Sequence, residues 1–120
     1  MATSPPDVLA ELREALRKFA DERDWDQFHS PKNLAAALSV EAAELLEHFQ
    51  WLTETQSQSL PADTLELARQ ELADVLLYVI RLADKLGVDL AAAARDKIAL
   101  NARRYPADKA HGSARKYSKL

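Results

Sequence analysis

Two matched pairs of carboxylates inside apolar segments constrain this chain more than any other feature of its sequence. Glu41 and Glu44 form the first pair, Glu71 and Asp74 form the second, and mainly alanine, leucine and valine flank both. Residues three apart lie on one face of a helix, so each pair presents two carboxylates to the same side. At about 5 Å and an effective dielectric of about 20, two like charges repel by roughly 3 kcal/mol. A stable fold therefore needs a positive group between the two pairs.

The type of donor atom indicates which positive group this is. The chain contains no cysteine, and His48 follows Glu44 by four residues, so the Glu-x-x-His pattern of di-iron bundles is absent. Oxygen donors alone favour a hard divalent cation, most simply Mg²⁺, which typically takes substrate phosphate oxygens as further ligands. The pattern therefore predicts a Mg²⁺-dependent enzyme that acts on a phosphorylated substrate. The predicted metal ligands are Glu41, Glu44, Glu71 and Asp74.

Apolar periodicity indicates an all-α fold with four main helices, because no stretch alternates in the manner of a β-strand. Residues 1–120 fit a single domain. Within it, residues 53–60 are predicted to be a flexible polar linker, and residues 105–120 a basic tail without periodicity. The predicted helices are about Pro6–Arg23, Pro31–Leu52, Ala62–Leu86 and Asp89–Arg104.

Capping residues support these helix limits. Ser4 precedes the first helix, and Ser30 before a proline is a strong start signal for the second. Asp63 with Glu66 resembles a capping box at the start of the third helix, and Gly87 is a natural left-handed stop at its end. Local chemistry therefore predicts both ends of the longest helix.

The second and third predicted helices are apolar around almost their whole circumference. Such helices are buried, yet a chain of 120 residues cannot cover two of them by itself. Both also carry a polar seam with the 3, 4, 3 spacing of a packing seam. We therefore expect the two helices to face each other, and further copies of the chain to complete the bundle as a homo-oligomer. The seams are Glu41, Glu44, His48 and Trp51, and Glu71, Asp74, Tyr78 and Arg81.

Charge is unevenly distributed along the chain. Residues 1–94 hold 8 Lys/Arg against 17 Asp/Glu, whereas residues 95–120 hold 8 Lys/Arg against 2 Asp. The basic end is either an arm for nucleic acid or the phosphate-binding half of one site. The net charge of −3 argues against nucleic acid, since that affinity comes mainly from neutralising phosphates. We therefore expect no nucleic-acid partner.

The sequence also bears on the compartment. Residues 1–6 lack the apolar run of a signal peptide, and no uncharged apolar span reaches about 18 residues. The absence of cysteine fits a reducing environment. The expectation is a cytoplasmic protein without a membrane partner.

Polar residues of the fourth helix are candidates for contacts with phosphate. Lys97, Asn101 and Arg104 are spaced four and three apart, so they form one stripe. Together with Arg103 or Arg115 they are predicted to contact the phosphate charge that a metal leaves unbalanced. A solvated helix face is the alternative interpretation of Lys97 and Arg104.

Aromatic residues are candidates for contacts with a nucleobase. Trp51 and Tyr78 end the acidic stretches of the two seams, and with Trp25 and His29 they are predicted to form a slot for a flat ring. Two alternatives stay open. Trp51 and Tyr78 could be core residues, and Trp25 with Phe28 could form a satellite core beneath the first helix.

These residues together resemble the MazG-like all-α nucleoside triphosphate pyrophosphatases, and within them the dCTP pyrophosphatase branch. The superfamily signature is Glu-x-x-Glu followed by Glu-x-x-Asp, which is present here as the two carboxylate pairs. Its later Lys…Asn…Arg element is present as Lys97, Asn101 and Arg104. Residues 22–29 with Pro31 and Asn33 resemble the opening of the substrate pocket. The segments that resemble base-binding and phosphate-end motifs are Phe49–Trp51, Asp74–Tyr78, Asn101–Pro106 and Ser113–Tyr117.

The resemblance implies hydrolysis of dCTP to dCMP and diphosphate with Mg²⁺, in a helical tetramer that cleans the nucleotide pool. The four acids would hold the metal, and Glu41 or Glu44 would orient or deprotonate the attacking water. One departure is Leu16, which stands where animal members carry a histidine, so the exact base preference stays open. The substrate-binding residues implied are Trp25, His29, Asn33, Trp51, Tyr78, Lys97, Asn101, Arg104 and Arg115.

Two other functions compete with the hydrolase. A non-catalytic helical oligomer would use the acidic seam to specify pairing, and its thermal stability would not depend on divalent ions. A nucleic-acid-binding dimer would use the basic end, and its binding to duplex DNA would weaken with salt. Pyrophosphate release in the presence and absence of Mg²⁺ separates the hydrolase from both.

Overall fold

The structure, a computed structural model, describes residues 7–120, which form helices and turns without a β-strand. The helices are α1 (Val8–Glu22), α2 (Pro31–Glu47), α3 (Glu54–Ser57), α4 (Ala62–Leu86), α5 (Leu90–Arg104) and α6 (Ala107–Ala110). Two 3-10 turns accompany them, at Asp26–Phe28 and Tyr117–Lys119. Only α1, α2, α4 and α5 are longer than one turn, which confirms the all-α prediction with four main helices.

The chain divides into two units at the end of α4. The first unit runs to Gly87 and the second from Val88 to Leu120. Gly87 has φ 68° and ψ 28°, a left-handed conformation that glycine adopts without steric cost, and it stops α4 as predicted. The single-domain assignment of residues 1–120 stays a prediction.

The start of α1 differs from the prediction. Ser4 and Pro6 lie outside the described residues, and the helix begins at Val8 rather than Pro6. Asp7 is the N-cap, since its side chain accepts a hydrogen bond of 3.1 Å from the N–H of Ala10. Asp7, which directly precedes Val8, therefore takes the capping role that was predicted for Ser4.

The second helix begins as predicted but ends five residues early. Ser30 accepts a hydrogen bond of 3.1 Å from the N–H of Asn33, and a proline occupies the first turn. At the other end, α2 stops at Glu47 instead of Leu52. The N–H of His48 donates to the carbonyl of Leu45, three residues back, so the last turn tightens and the chain leaves the helix.

The predicted flexible linker 53–60 contains a short helix. Thr53 accepts from the N–H of Gln56 at 3.1 Å, and the Gln56 side chain accepts from the N–H of Thr53 at 3.0 Å. This reciprocal capping box holds α3. The predicted polar linker therefore contains a helical turn that the sequence-based prediction did not include, while its flexibility stays a prediction.

The predicted capping box at Asp63 was also wrong, although the limits of α4 were right. The N-cap is Pro61, and no side chain caps this end. Asp63 lies inside the helix and accepts from the N–H of its neighbour Thr64 at 2.9 Å. The start signal is instead Pro61, whose ring fixes φ at −56° immediately before the helix.

In the first unit, α4 packs against both α2 and α1. The buried apolar side chains come from all three helices: Ala20, Leu34, Ala68, Ile80 and Ala83. The prediction that the two seam-bearing helices face each other is therefore confirmed. Small residues dominate this list, which allows the helices to approach closely.

The second unit carries the basic end of the chain. Asp89 caps α5 as predicted, by accepting from the N–H of Ala92 at 3.0 Å. The predicted tail contains α6 and a 3-10 turn rather than only irregular chain. The rings of Tyr105 and Tyr117 meet edge to face with centroids 5.9 Å apart, and the Arg104 guanidinium lies 4.8 Å from the Tyr117 ring. These aromatic contacts hold the C-terminal turn against the end of α5.

Large apolar side chains on α2 and α4 remain exposed in the single chain. Val40 is 55% exposed, Leu46 57% and Leu72 57%. Such surface is what a homo-oligomer would cover, and the homo-oligomer stays a prediction. Within residues 7–120, no helix combines the length and apolar character needed to cross a membrane.

Candidate active site

Three carboxylates from two helices meet in the first unit. Glu41 and Glu44 lie one turn apart on α2, and Glu71 lies on the facing surface of α4. Each offers one oxygen, and these oxygens all lie within 4.8 Å of one another. The α2–α4 pairing therefore produces the convergence that the 3, 4, 3 spacing predicts. We call these residues the acidic cluster.

The acidic cluster has no compensating cation among the described residues. The Oε2 atoms of Glu41 and Glu71 are inaccessible to solvent and have no hydrogen-bond partner within residues 7–120. Burial, followed by the neighbouring Glu44 and Glu71 carboxyls and the charge of Asp74, raises the pKa of Glu41 to about 7. A buried acceptor without a partner costs about 1–3 kcal/mol. The cluster is therefore unfavourable for stability and is suited to a cation.

Asp74, the fourth predicted ligand, lies beside the acidic cluster rather than within it. It is exposed and is not one of the three residues whose oxygens converge. Its charge nevertheless contributes to the raised pKa of Glu41, and its side chain lines a neighbouring cavity. Asp74 therefore connects the acidic cluster to that cavity.

The cavity has a volume of about 440 Å³ and lies where α1, α4 and the 25–29 segment meet. Its wall is mostly apolar on the α1 side and polar on the α4 side. The α1 wall includes Leu12, Leu16 and Phe19, and the α4 wall includes Asp74, Tyr78 and Arg81. A mostly apolar pocket with a few polar groups is typical of a site for a small organic ligand.

Trp25 and His29 close the cavity from the segment that follows α1. The Trp25 ring meets Phe19 edge to face at 5.6 Å and His29 at 6.5 Å between centroids. Trp25 is 44% exposed, so it both packs on α1 and lines the cavity. Trp25 therefore packs against α1, as the satellite-core interpretation expects, and also lines a cavity, while its contact with a flat ligand stays a prediction. Phe28 is not part of the wall and is largely exposed.

Two predicted base-binding or pocket residues lie outside the cavity wall. Trp51 is 86% exposed, because α2 ends at Glu47 and the seam does not extend to position 51. The Asn33 side chain donates to the carbonyl of Phe28 at 3.0 Å, which holds the 3-10 turn against the start of α2. Their roles in substrate binding stay predictions.

The predicted phosphate contacts all belong to the second unit. Lys97 and Asn101 are exposed on α5, and Arg104 is partly covered by Tyr117. Arg115 is exposed, and its N–H donates to the Ser113 hydroxyl at 3.2 Å. These side chains leave positive and amide groups accessible on the surface of that unit.

An ion-pair network was missed by the sequence-based prediction. Arg81, only 5% exposed, donates from Nη2 to Asp26 Oδ1 at 2.7 Å and from Nε to His29 Nδ1 at 3.2 Å. Arg17 of α1 donates to Asp84 at 2.8 Å, and Asp84 also lies 3.6 Å from the Arg81 guanidinium. The seam spacing had included Arg81, but it gave no sign of partners more than 50 residues away.

The chain is similar to known proteins over most of its length. A family model described as MazG-like matches residues 36–120. The chain is 44% identical over 119 residues to dCTP pyrophosphatase 1 from Homo sapiens, covering 98% of this chain and 70% of that protein. The protein of the same name from Mus musculus is 43% identical over the same shares. A crystal structure of a pyrophosphatase from Archaeoglobus fulgidus superposes with a TM-score of 0.76 at 36% identity, covering 88% of this chain and 99% of that one.

Proposed function

The chain belongs to the MazG-like family, and from this premise we propose that it is a nucleotide pyrophosphohydrolase that converts dCTP and water to dCMP and diphosphate. The membership confirms the family resemblance seen in the sequence. The similarity to proteins named dCTP pyrophosphatase 1 supports the substrate. The observation that carries the chemistry is the pair of buried, unpartnered oxygens of Glu41 and Glu71 beside a cavity.

The acidic cluster fits a divalent cation. Its three carboxylates offer oxygens within 4.8 Å of one another, and hard divalent cations prefer such donors. We propose that Glu41, Glu44 and Glu71, with Asp74 beside them, would hold Mg²⁺. When bound, Mg²⁺ would neutralise phosphate charge and lower the pKa of water at the site.

Glu41 and Glu44 are the candidates to orient or deprotonate the attacking water, because both belong to the acidic cluster that would hold the metal. The water oxygen forms a bond to a phosphorus of the α–β bridge, and the bond from phosphorus to the bridging oxygen breaks with its electron pair on the leaving group. The proton of the water passes to Glu41 or Glu44.

The cavity beside Asp74 is the proposed site of the cytosine base. Trp25 and Tyr78 offer flat aromatic surfaces for stacking, and His29 offers a polar group in the same wall. Leu12, Leu16 and Phe19 of α1 form the apolar side of the cavity. Within the predicted base slot, the cavity geometry supports Trp25, His29 and Tyr78, which all line this cavity.

Lys97, Asn101, Arg104 and Arg115 remain predicted contacts for the phosphate end. Their support is chemical, because cationic and amide groups bind phosphate oxygens through charge-assisted hydrogen bonds. Lys97→Gln should raise the KM for dCTP. An unchanged KM would remove Lys97 from the substrate site.

Pyrophosphate release from a panel of dNTPs and NTPs, with Mg²⁺ and with EDTA, tests the proposed function. We expect release led by dCTP, with dCMP as the second product, and none in EDTA. Even activity across the panel would keep the metal chemistry but overturn the cytosine assignment. No release from any nucleotide would favour the non-catalytic pairing alternative.

Two glutamates of α4 provide a matched pair of variants for the same assay. Glu71→Gln removes one carboxylate of the acidic cluster, whereas Glu66→Gln changes an exposed residue that pairs only with Arg69 and Gln70 among the described side chains. We expect Glu71→Gln to lose turnover and Glu66→Gln to keep it. Near-normal turnover by Glu71→Gln would show that the acidic cluster is not the site.

Assembly and location are the remaining parts of the proposal. The exposed Val40, Leu46 and Leu72 support a homo-oligomer, dimer or tetramer, which sedimentation equilibrium would detect as a multiple of the chain mass. A purely monomeric protein at micromolar concentration would contradict it. We also propose a cytoplasmic role in cleaning the nucleotide pool, and cell fractionation would test the location.

A further inference from the structure

The guanidinium of Arg81 is held from three sides. Its Nη2 donates to Asp26 Oδ1 at 2.7 Å, and its Nη1 lies 3.6 Å from Asp84 Oδ2. Its Nε donates to Nδ1 of His29 at 3.2 Å. The side chain is only 5% exposed, so these partners, rather than solvent, fix its orientation. A buried arginine with two carboxylate partners has little freedom to turn away from His29.

This contact determines the protonation state of the imidazole. Arginine has only N–H donors and stays charged in proteins, so the ring nitrogen that faces Nε must carry a lone pair. A neutral imidazole with the lone pair on Nδ1 has its proton on Nε2. The surroundings act in the same direction, because burial and the charge of Arg81 lower the pKa of His29, against an opposing effect of Asp26.

The other ring nitrogen of His29 is available to a ligand. His29 lines the cavity, and the only hydrogen bond of its ring within residues 7–120 is the one that Nδ1 accepts. Nε2 is not one of the buried atoms that lack a partner, so solvent or a ligand can reach it. The ring thus has a fixed acceptor side toward Arg81 and a fixed donor side.

We propose that Arg81 is a positioning residue that holds His29 as a neutral Nε2–H donor, which selects ligands that present a lone-pair acceptor in the cavity. This inference rests on the proposed function for the identity of the ligand and deepens it. O2 is an acceptor in cytosine, thymine and uracil alike, but N3 accepts in cytosine and carries a proton in thymine and uracil. A fixed Nε2–H that faces N3 therefore favours cytosine, whereas an imidazole that exchanges between its two tautomers can also accept from the N3–H of thymine.

The network extends the control of His29 to α1. Arg17 binds Asp84 through two guanidinium nitrogens, and Asp84 and Asp26 flank Arg81. Lys85 adds a second cation on Asp26. The residues that orient the donor thus come from α1, α4 and the 25–29 segment, the three parts of the chain that also line the cavity. Docking of α1 and orientation of His29 are coupled for this reason.

The tautomer is the direct test, and it requires no substrate. Long-range ¹⁵N–¹H NMR of the full chain without nucleotide should show His29 in the Nε2–H form at pH 7. The chain has three histidines, and His29→Gln identifies the signal. Arg81→Leu should convert the signal to a mixture of tautomers, whereas Arg69→Leu, an exposed arginine of the same helix, should leave it unchanged. A wild-type Nδ1–H form, or no change in Arg81→Leu, would overturn the proposal.

Kinetics provide the second readout. Arg81→Leu should raise the KM for dCTP about 5- to 10-fold, the usual contribution of one hydrogen bond, with a smaller change in kcat. The preference for dCTP over dTTP should fall by a similar factor. If Arg81→Leu does not fold, Arg81→Lys keeps the charge without the directional Nε–H and should give the same shift in preference. Unchanged preference in the folded variant would overturn the proposal.

The two readouts separate this inference from the proposed function. Absence of dCTP hydrolysis with the Nε2–H tautomer intact would contradict the substrate but confirm the role of Arg81. Hydrolysis led by dCTP, with a mixture of His29 tautomers in the wild type, would confirm the substrate but contradict the role of Arg81. The orienting role of Arg81 and the identity of the nucleotide are therefore tested independently.

Discussion

One helix carries two groups of carboxylates that differ in every electrostatic respect. Near its middle, Glu71 of α4 meets Glu41 and Glu44 with no lysine or arginine partner within residues 7–120, and the pKa of Glu41 is raised to about 7. Thirteen residues later, Asp84 of the same helix is bound by Arg17, which lowers the pKa of Asp84. The same type of side chain is unpaired at the first site and paired at the second.

The difference in pairing indicates which group of carboxylates stabilises the fold and which group is the candidate for chemistry. Carboxylates that are bound by arginine in the folded state contribute to its stability. Carboxylates that are buried without partners reduce it, and they persist where function requires them. The cluster around Glu71 is therefore the proposed site of the chemistry, whereas Asp84 supports the fold that shapes the neighbouring cavity.

The largest expected effect comes from removing a charge from the acidic cluster. Glu41→Gln should reduce turnover by more than about 100-fold, since even groups that only orient metal ligands contribute 10- to 100-fold. In EDTA the same variant should be more stable than wild type by on the order of 1 kcal/mol, because a repulsion is relieved. Steady-state kinetics and thermal melts measure the two effects.

The two effects of Glu41→Gln have opposite signs, which distinguishes a functional site from a structural one. Mg²⁺ should raise the melting temperature of the wild type and have less effect on the variant. A variant that is inactive and also less stable in EDTA would mean that Glu41 supports the fold, and the contrast with Asp84 would not hold.

The second-largest expected effect comes from removing the charge of Asp84, which is paired with arginine. Asp84→Asn should destabilise the protein by about 2 kcal/mol, because it leaves the buried Arg81 with one charged partner fewer. The pKa of Asp84 is lower in the folded state than its ordinary value, so its contribution is complete above the ordinary pKa and is lost as pH falls through the folded pKa. Melts from neutral to acid pH should show a shallower decline for the variant. Equal slopes would contradict the pairing.

The smallest expected effect comes from Arg17, which pairs with one exposed and one largely buried carboxylate. Arg17 also contacts Glu14 at 2.8 Å, but this pair is exposed on both sides. Glu14→Gln should change the unfolding free energy by less than about 0.5 kcal/mol. Chemical denaturation of the wild type, Glu14→Gln and Asp84→Asn measures the loss of unfolding free energy in each variant. An equal loss in both variants would show that burial does not determine the strength of these pairs.

The sequence was most informative where structure depends on neighbours in the chain. Gly87 and Asp89 predicted the end of α4 and the start of α5 correctly, because a left-handed stop and a side-chain cap involve residues only a few positions apart. The convergence of Glu41, Glu44 and Glu71 was also predictable, since the matched seams of two helices define the surface on which they meet.

The sequence was least informative where contacts join distant segments or where a helix ends without glycine or proline. α2 stops at Glu47 through a tightened turn that no breaker residue marks, so Trp51 was wrongly assigned to the helix. Arg81 lies 55 residues from Asp26, and no local pattern indicates that pairing. The acidic half of the site was therefore visible in the sequence, whereas the support of the cavity was not.

The Arg17–Asp84 pair, which joins residues 67 positions apart, also bears on how the protein folds. Contacts that close long loops form late in folding, because the chain loses loop-closure entropy before the contact contributes any stabilising free energy. The α2–α4 hairpin spans a shorter loop, so we expect it to form before α1 docks. Native-state hydrogen exchange should then show α1 opening at lower free energy than α4. Within the first unit, the acidic cluster would thus form before the docking of α1 completes the neighbouring cavity.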